Sequence, residues 1–219
     1  MFDPILFDLD GTLTDSAPGI LHSAEYALRT LGFPVPGRAT LRRFVGPPLT
    51  ESFQTLCGLS AADASRAVEA YRVYFRARGM FENRVYDGIP ALLRTITRAG
   101  RTLALATSKP EVFARQILDH FGLAQYFAVL AGATLDPSRQ TKAAVLARAL
   151  CLLEEAGLPA AAARPVLVGD RLHDVEGAAA HGLPCIGVLY GYGSEEELRQ
   201  VGARAIAPTV EELAALLLG

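Results

Sequence analysis

Two aspartates two positions apart, Asp8 and Asp10, close a short apolar run in the stretch ILFDLDGTLTD. An ionised carboxylate withdrawn from water is costly unless charge or hydrogen bonds answer it. Groups that can answer these two lie far along the chain. A second apolar run, in LALATSKP, ends in Thr107 and Ser108. A third, VLVGD, ends in Asp170, and Asp174 follows in GDRLHD. Lys142 opens a helical pattern in SRQTKAAVL. Open α/β sheets bind ligands at the carboxyl ends of their strands, near the point where strand order reverses. On such a sheet, if it is parallel, most of the set Asp8, Asp10, Thr107, Lys142, Asp170 and Asp174 converges on one edge. Gathered carboxylates repel one another, and a hard oxygen-seeking cation such as Mg²⁺ relieves this. Mg²⁺ prefers few protein ligands, with waters and a phosphate completing its shell. Lys142 and the Thr107 hydroxyl then supply contacts to phosphoryl oxygens.

The elements that must position this set are legible in outline. Short apolar runs at 5–9, 103–107, 129–131, 166–168 and 185–189 read as strands, with a weaker one at 205–207. From Asp87 onward they alternate with helical patterns at 88–99, 110–121, 141–156, 175–181, 195–201 and 210–218. Asp87 can cap the first of these helices and Gly100 can end it. SEEE at Ser194 and TVEE at Thr209 have the spacing of capping boxes. Near-continuous apolar strands alternating with helices predict an α/β, Rossmann-like, mostly parallel sheet sandwiched by helices. The stretch from Pro18 to Phe81 carries helical patterns and no good strand, with Pro34, Pro36, Pro47 and Pro48 punctuating it. It predicts an inserted all-helical cap domain. The expected division is 1–16 with 85–219 as the α/β core and 17–84 as the cap.

With these residues in place, the chain resembles the haloacid dehalogenase-like superfamily, in its phosphoglycolate-phosphatase-like branch with a helical cap. DLDGTLTDS, ATSK, Lys142 and GDRLHD match the four family motifs in order, and the resemblance covers essentially the whole chain. GPPLTESF in the insertion and GVLYGYGSEEEL near the end are similar to that branch too. The resemblance implies a Mg²⁺-dependent phosphatase of a small phosphomonoester, phosphoglycolate being the substrate it favours. It casts Asp8 as the nucleophile that forms an aspartyl-phosphate. Asp10 protonates the leaving oxygen and then activates water. Mg²⁺ is held by the Asp8 and Asp170 side chains and the Asp10 carbonyl. Thr107, Ser108 and Lys142 bind the phosphoryl group, and the Gly11 N–H donates to it. Asp174 orients metal waters or Lys142 rather than ligating directly. In the cap, Gly46 and Pro47 shape a loop over the substrate and Arg42 or Arg43 meets a substrate carboxylate; a solvated helix face explains these arginines equally well.

Composition narrows the alternatives. A formal net charge of -2 gives no basic field for nucleic acid or an anionic membrane. Cys57, Cys151 and Cys185 are odd in number and lack a CxxC, which argues against a disulfide framework or zinc cluster. No apolar run approaches the roughly 20 residues of a membrane helix. MFDPILFDLD lacks the basic start of a signal peptide. The expectation is a cytoplasmic enzyme of a small phosphorylated metabolite, with no nucleic acid, membrane or obligate protein partner. A sugar-phosphate mutase shares the same core. A receiver-like signalling module also pairs carboxylates, a hydroxyl and a lysine, but the DxD spacing and the insertion speak against it. The four histidines show no ligand spacing, and GVLYGYG reads as a flexible loop.

Overall fold

The computed structural model describes residues 1–136, 138–158 and 164–219. The chain forms two compact units, one of Met1–Thr14 with Val85–Gly219 and one of Asp15–Arg84. The first unit contains β1 (Ile5–Phe7), β4 (Leu103–Pro110), β5 (Val129–Ala133), β6 (Val166–Gly169), β7 (Cys185–Val188) and β8 (Ala205–Ala207). These strands make one parallel sheet in the order β5-β4-β1-β6-β7-β8. The chain builds outward from β1 through β4 to β5, then continues from β6 to β8 on the opposite side. The order therefore reverses between β1 and β6, which pair Phe7 with Val168 at their ends.

The helices of this unit are α5 (Ile89–Arg98), α6 (Glu111–His120), α7 (Lys142–Glu155), α8 (Leu172–Ala179), α9 (Glu195–Gln200) and α10 (Val210–Leu218). Strand residues face helices on both sides, so β1 and the first three residues of β6 are wholly buried: Ile5, Leu6, Phe7, Val166, Leu167 and Val168 are each 0 % exposed. One layer packs Leu6, Ala104 and Leu167 beneath Val145, Leu146 and Ala149 of α7 and Val175 and Ala178 of α8. That packing fixes where Lys142, the first residue of α7, stands above the sheet.

The second unit holds α1 (Ala17–Thr30), α2 (Arg38–Arg42), α3 (Leu49–Cys57), α4 (Ala61–Tyr74) and a π-helical turn at Phe75–Gly79. Ser60 caps α4 by accepting from the Asp63 N–H at 3.1 Å. Phe44 and Phe53 meet edge to face with ring centres 5.0 Å apart, at the heart of its core.

Several local expectations change. Two short strands, β2 (Thr14–Asp15) and β3 (Arg84–Val85), pair at the two junctions, where the sequence has too few apolar residues to announce them. The N-cap of α5 is Gly88 rather than Asp87. The helix after β6 begins at Leu172, three residues before the periodic apolar pattern starts, because Asp174 caps it from inside. β4 runs on through Ser108 and Lys109 to Pro110, with a register shift against β5 between Thr107 and Pro110. Among the described residues, no helix is long and apolar enough to cross a membrane.

The central strand carries the stability of the core unit. Leu6→Ala, at 0 % exposure, is expected to lower unfolding free energy by about 2–5 kcal/mol. Val73→Ala, at 60 % exposure, should shift it by no more than about 0.5 kcal/mol. Denaturant midpoints that move equally for the two variants would contradict this placement of the core.

Candidate active site

β1 ends at Phe7, so Asp8 is the first residue past the central strand; its N–H still donates to Val168 O at 2.9 Å, tying it to β6. β6 ends at Gly169, placing Asp170 alongside. Lys142 arrives from above: Thr141 caps α7 by accepting from the Ala144 N–H at 3.2 Å, and the lysine stem is buried. Its ammonium donates to Asp8 Oδ1 at 2.6 Å and to Ala106 O at 3.0 Å, and pairs with Asp174 Oδ1 at 2.7 Å. Two of these contacts are hydrogen bonds, and the third, with Asp174, is an ion pair. Lys142 thus ties the residue after β1, the β4 backbone and α8 together in one buried contact.

Both oxygens of Asp174 face partners, Oδ1 through an ion pair and Oδ2 through hydrogen bonds. Oδ1 faces Lys142, and Oδ2 accepts from the N–H groups of Asp170 and Arg171 at 3.1 and 3.0 Å. It orients Lys142 and the turn that carries Asp170. Asp170 is wholly buried, with Oδ2 accepting from the Tyr192 N–H at 2.7 Å and Oδ1 from the Thr12 hydroxyl at 3.4 Å.

The electrostatics follow from this crowding. Burial pushes the Asp8 carboxyl up to about 6; Lys142 opposes the shift, and Asp174 and Asp10 add to it. Burial, then Asp174 and Asp8, hold the Asp170 carboxyl well above the usual carboxylate range. Burial alone would lower Lys142, but Asp174 and Asp8 hold it above its ordinary value. Ligand atoms of Asp8, Asp170 and Asp174 all lie within 4.8 Å of one another. Hard oxygen donors with one lysine shared between two of them suit a divalent cation of the Mg²⁺ type.

One residue enters the site that the sequence did not single out. Lys109 is buried and pairs with Asp10 Oδ2 at 2.7 Å, while Asp10 Oδ1 is buried with no hydrogen-bond partner among the described residues. The irregularity in β4 re-aims this lysine toward β1, a common use of a bulge beside a functional site. The ATSK motif contains Lys109, but nothing in strand alternation marks it as inward. The Thr107 hydroxyl accepts from the Lys109 N–H at 3.2 Å, which leaves its own O–H to donate; Ser108 is half-buried within the bulge.

Glycine has a different purpose here from the one expected. Gly11 has φ +83°, and its N–H donates to Thr14 O at 2.8 Å, so it is turned into its own loop rather than toward a phosphate. A side chain at Gly11 would strike the Asp170 carboxylate. Gly191 and Gly193 are likewise pressed against Asp170. The GVLYGYG stretch is thus a tightly packed wall of the site, not a flexible loop. Arg43 ends α2 in the second unit and is exposed, as is Gly46 at φ +110°. Two of the histidines have partners other than the clustered acids: the His22 Nδ1 lies 2.6 Å from Glu82 in the second unit, and the His181 Nε2 lies 2.7 Å from Ala143 O.

A carboxyl whose folded pKa is raised opposes folding once pH exceeds its unfolded pKa. The penalty grows as pH rises toward the folded value. Asp170→Asn should therefore raise the melting temperature in EDTA at pH 7.5, with a smaller gain at pH 4. Asparagine can keep the Tyr192 bond while its amide faces the Thr12 hydroxyl. An unchanged or lower melting temperature at pH 7.5 would count against the repulsion described here.

Comparison with known proteins agrees with this geometry. Residues 5–188 match the haloacid dehalogenase-like hydrolase family. A 5'-nucleotidase of Pseudomonas aeruginosa is 48 % identical over 195 residues, covering 89 % of this chain and 86 % of its own. The tyrosine-protein kinase PtkA of Mycobacterium tuberculosis is 46 % identical over 211 residues, covering 95 % of this chain and 70 % of its own. A phosphoglycolate phosphatase of Pseudomonas savastanoi is 30 % identical over 221 residues, covering 98 % of this chain and 78 % of its own. The crystal structure of a predicted phosphatase from Clostridium acetobutylicum superposes with a TM-score of 0.90 at 45 % identity, covering 100 % of this chain and 99 % of that one. With the family matched across most of its length and its acidic centre at the sheet's switch point, this chain belongs to the haloacid dehalogenase-like hydrolases.

Proposed function

We propose that this hydrolase is a Mg²⁺-dependent phosphatase that releases inorganic phosphate from a small phosphomonoester through an aspartyl-phosphate at Asp8. The observation that carries this reading is the buried Asp8–Lys142–Asp174 chain beside Asp170 at the carboxyl ends of β1 and β6. Asp8 offers its second carboxylate oxygen to phosphorus while Lys142 holds the first. Asp10, oriented by Lys109, delivers a proton to the leaving oxygen and later takes one from water. Asp8 and Asp170, with the Asp10 carbonyl, would hold the cation, which when bound neutralises phosphoryl charge. The Thr107 hydroxyl donates to the transferring group.

For the substrate, the balance of support moves to a nucleoside 5'-monophosphate. The relative named 5'-nucleotidase shares 48 % identity with this chain, against 30 % for the phosphoglycolate phosphatase. A second reading, phosphoryl transfer from a nucleotide to protein tyrosine, takes its support from the 46 % identity to PtkA. The sugar-phosphate mutase reading shares the core chemistry, and no observation in the site favours it.

Purified protein with Mg²⁺ should release phosphate from nucleoside 5'-monophosphates faster than from phosphoglycolate, and from p-nitrophenyl phosphate as a generic ester. Asp8→Asn should abolish release, and Asp10→Asn should lower kcat by about 10²–10⁴. Full activity of Asp8→Asn would overturn the mechanism. Efficient labelling of a tyrosine substrate from γ-labelled ATP, without phosphomonoester turnover, would favour the kinase reading. Interconversion of sugar-phosphate isomers without net phosphate release would favour the mutase.

A further inference from the structure

The spacing of SEEE predicts that the Glu197 side chain folds back onto the N-terminus of its own helix, α9. Only half of that box forms. The Ser194 hydroxyl accepts from the Glu197 N–H at 3.1 Å, but the Glu197 carboxylate turns to a different helix. Its Oε1 accepts from the Arg171 Nε–H and from the Leu172 N–H, each at 2.8 Å. Leu172 is the first residue of α8, and Arg171 is the residue between it and Asp170.

The turn after β6 thus presents three successive backbone N–H groups, and carboxylates take all of them. Asp174 takes those of Asp170 and Arg171, and Glu197 takes that of Leu172. The same segment that leads into α9 also supplies the Tyr192 N–H to the Asp170 carboxylate. Glu197 and Tyr192 therefore clamp the Asp170 turn from one side, while Asp174 and Lys142 hold it from the other. Glu197 and Arg171 side chains are only 23 % and 22 % exposed, so their charge-assisted contact is partly shielded from water.

We infer that Glu197 is a positioning residue that sets the divalent-cation affinity of the site, by fixing the turn on which Asp170 and Asp174 sit. This rests on the reading of Asp8 and Asp170 as cation ligands. Groups that orient ligands from behind typically contribute tenfold or more to metal affinity. Without Glu197, the Arg171 side chain and the Leu172 N–H lose their shared acceptor, and the angle of Asp170 to Asp8 loosens.

The test is Mg²⁺ titration of the full chain, read by the Mg²⁺-dependent rise in melting temperature and separately by the Mg²⁺ dependence of phosphate release. Glu197→Ala should weaken apparent Mg²⁺ affinity by roughly tenfold in both readouts. At saturating Mg²⁺, its KM for the ester should stay near wild type. Glu197→Gln keeps an acceptor for the Leu172 N–H and should recover part of the affinity. Glu195→Ala serves as the control, because Glu195 pairs with Arg199 on its own helix, and it should leave Mg²⁺ affinity unchanged. Should Glu197→Ala fail to fold, Glu197→Gln carries the comparison, with a several-fold loss expected. A melting temperature that falls equally with and without Mg²⁺, at unchanged Mg²⁺ affinity, would make Glu197 a structural cap only and overturn the inference. If wild-type protein shows no Mg²⁺ response in either readout, the cation reading of the site fails, and this inference falls with it.

Discussion

The Lys142 ammonium is the contact on which the rest of the site depends. It joins three parts of the chain: the residue after β1, the backbone of β4 through Ala106, and α8 through Asp174. Asp8 lies 134 residues from it in sequence. No local preference brings such groups together; the parallel sheet and the packing of α7 over it do. Once Lys142 is buried, each partner is obligatory, because removing one leaves a charge stranded in a low-dielectric interior. A single cation thereby couples the identity of the fold to the arrangement of the acids.

One ammonium does not satisfy three buried carboxylates. Asp8 is pushed up to about 6 even with Lys142 beside it, and burial holds Asp170 well above the usual carboxylate range although a backbone N–H, a hydroxyl and the charge of Arg171 oppose the shift. The folded chain thus stores repulsion at the switch point of its sheet. Stored repulsion of this kind favours binding of positive charge and disfavours the empty fold by the same amount, which couples ligand affinity to stability. A more comfortable site, with neutral side chains, would be more stable and chemically inert.

The sequence made the layered sheet and most of the acidic centre legible, for a physical reason. Apolar strands buried on both faces must be nearly uninterrupted, so the polar residue that ends each one stands out; Asp8, Thr107 and Asp170 were found that way. Lys109 was not, because it sits inside an irregular extension of β4 where alternation carries no information. The glycines of GVLYGYG were misread for a related reason. Glycine signals both freedom and close approach, and only the proximity of Asp170 distinguishes the two. Glu197 shows the limit of a local motif. Its spacing meets the rule for a capping box, yet the first N–H of a neighbouring helix and an arginine side chain take its carboxylate instead. Short strands β2 and β3 had two residues each, too few for any pattern.

Relatives of similar identity carry the names of a nucleotidase and of a tyrosine kinase, and the geometry of the core makes that pairing intelligible. Under the aspartyl-phosphate reading, the first half of the reaction moves a phosphoryl group onto Asp8 whatever its source. The outcome then depends on which oxygen next reaches the phosphorus: one from water gives a phosphatase, one from a hydroxyl gives a transferase. On that reading Asp10 would serve either acceptor, since both must lose a proton. The acidic centre would then set what is transferred and by which atom, and the acceptor would be set by what can stand beside Asp10. On the same reading, a change of acceptor calls for change around Asp10 rather than at Asp8.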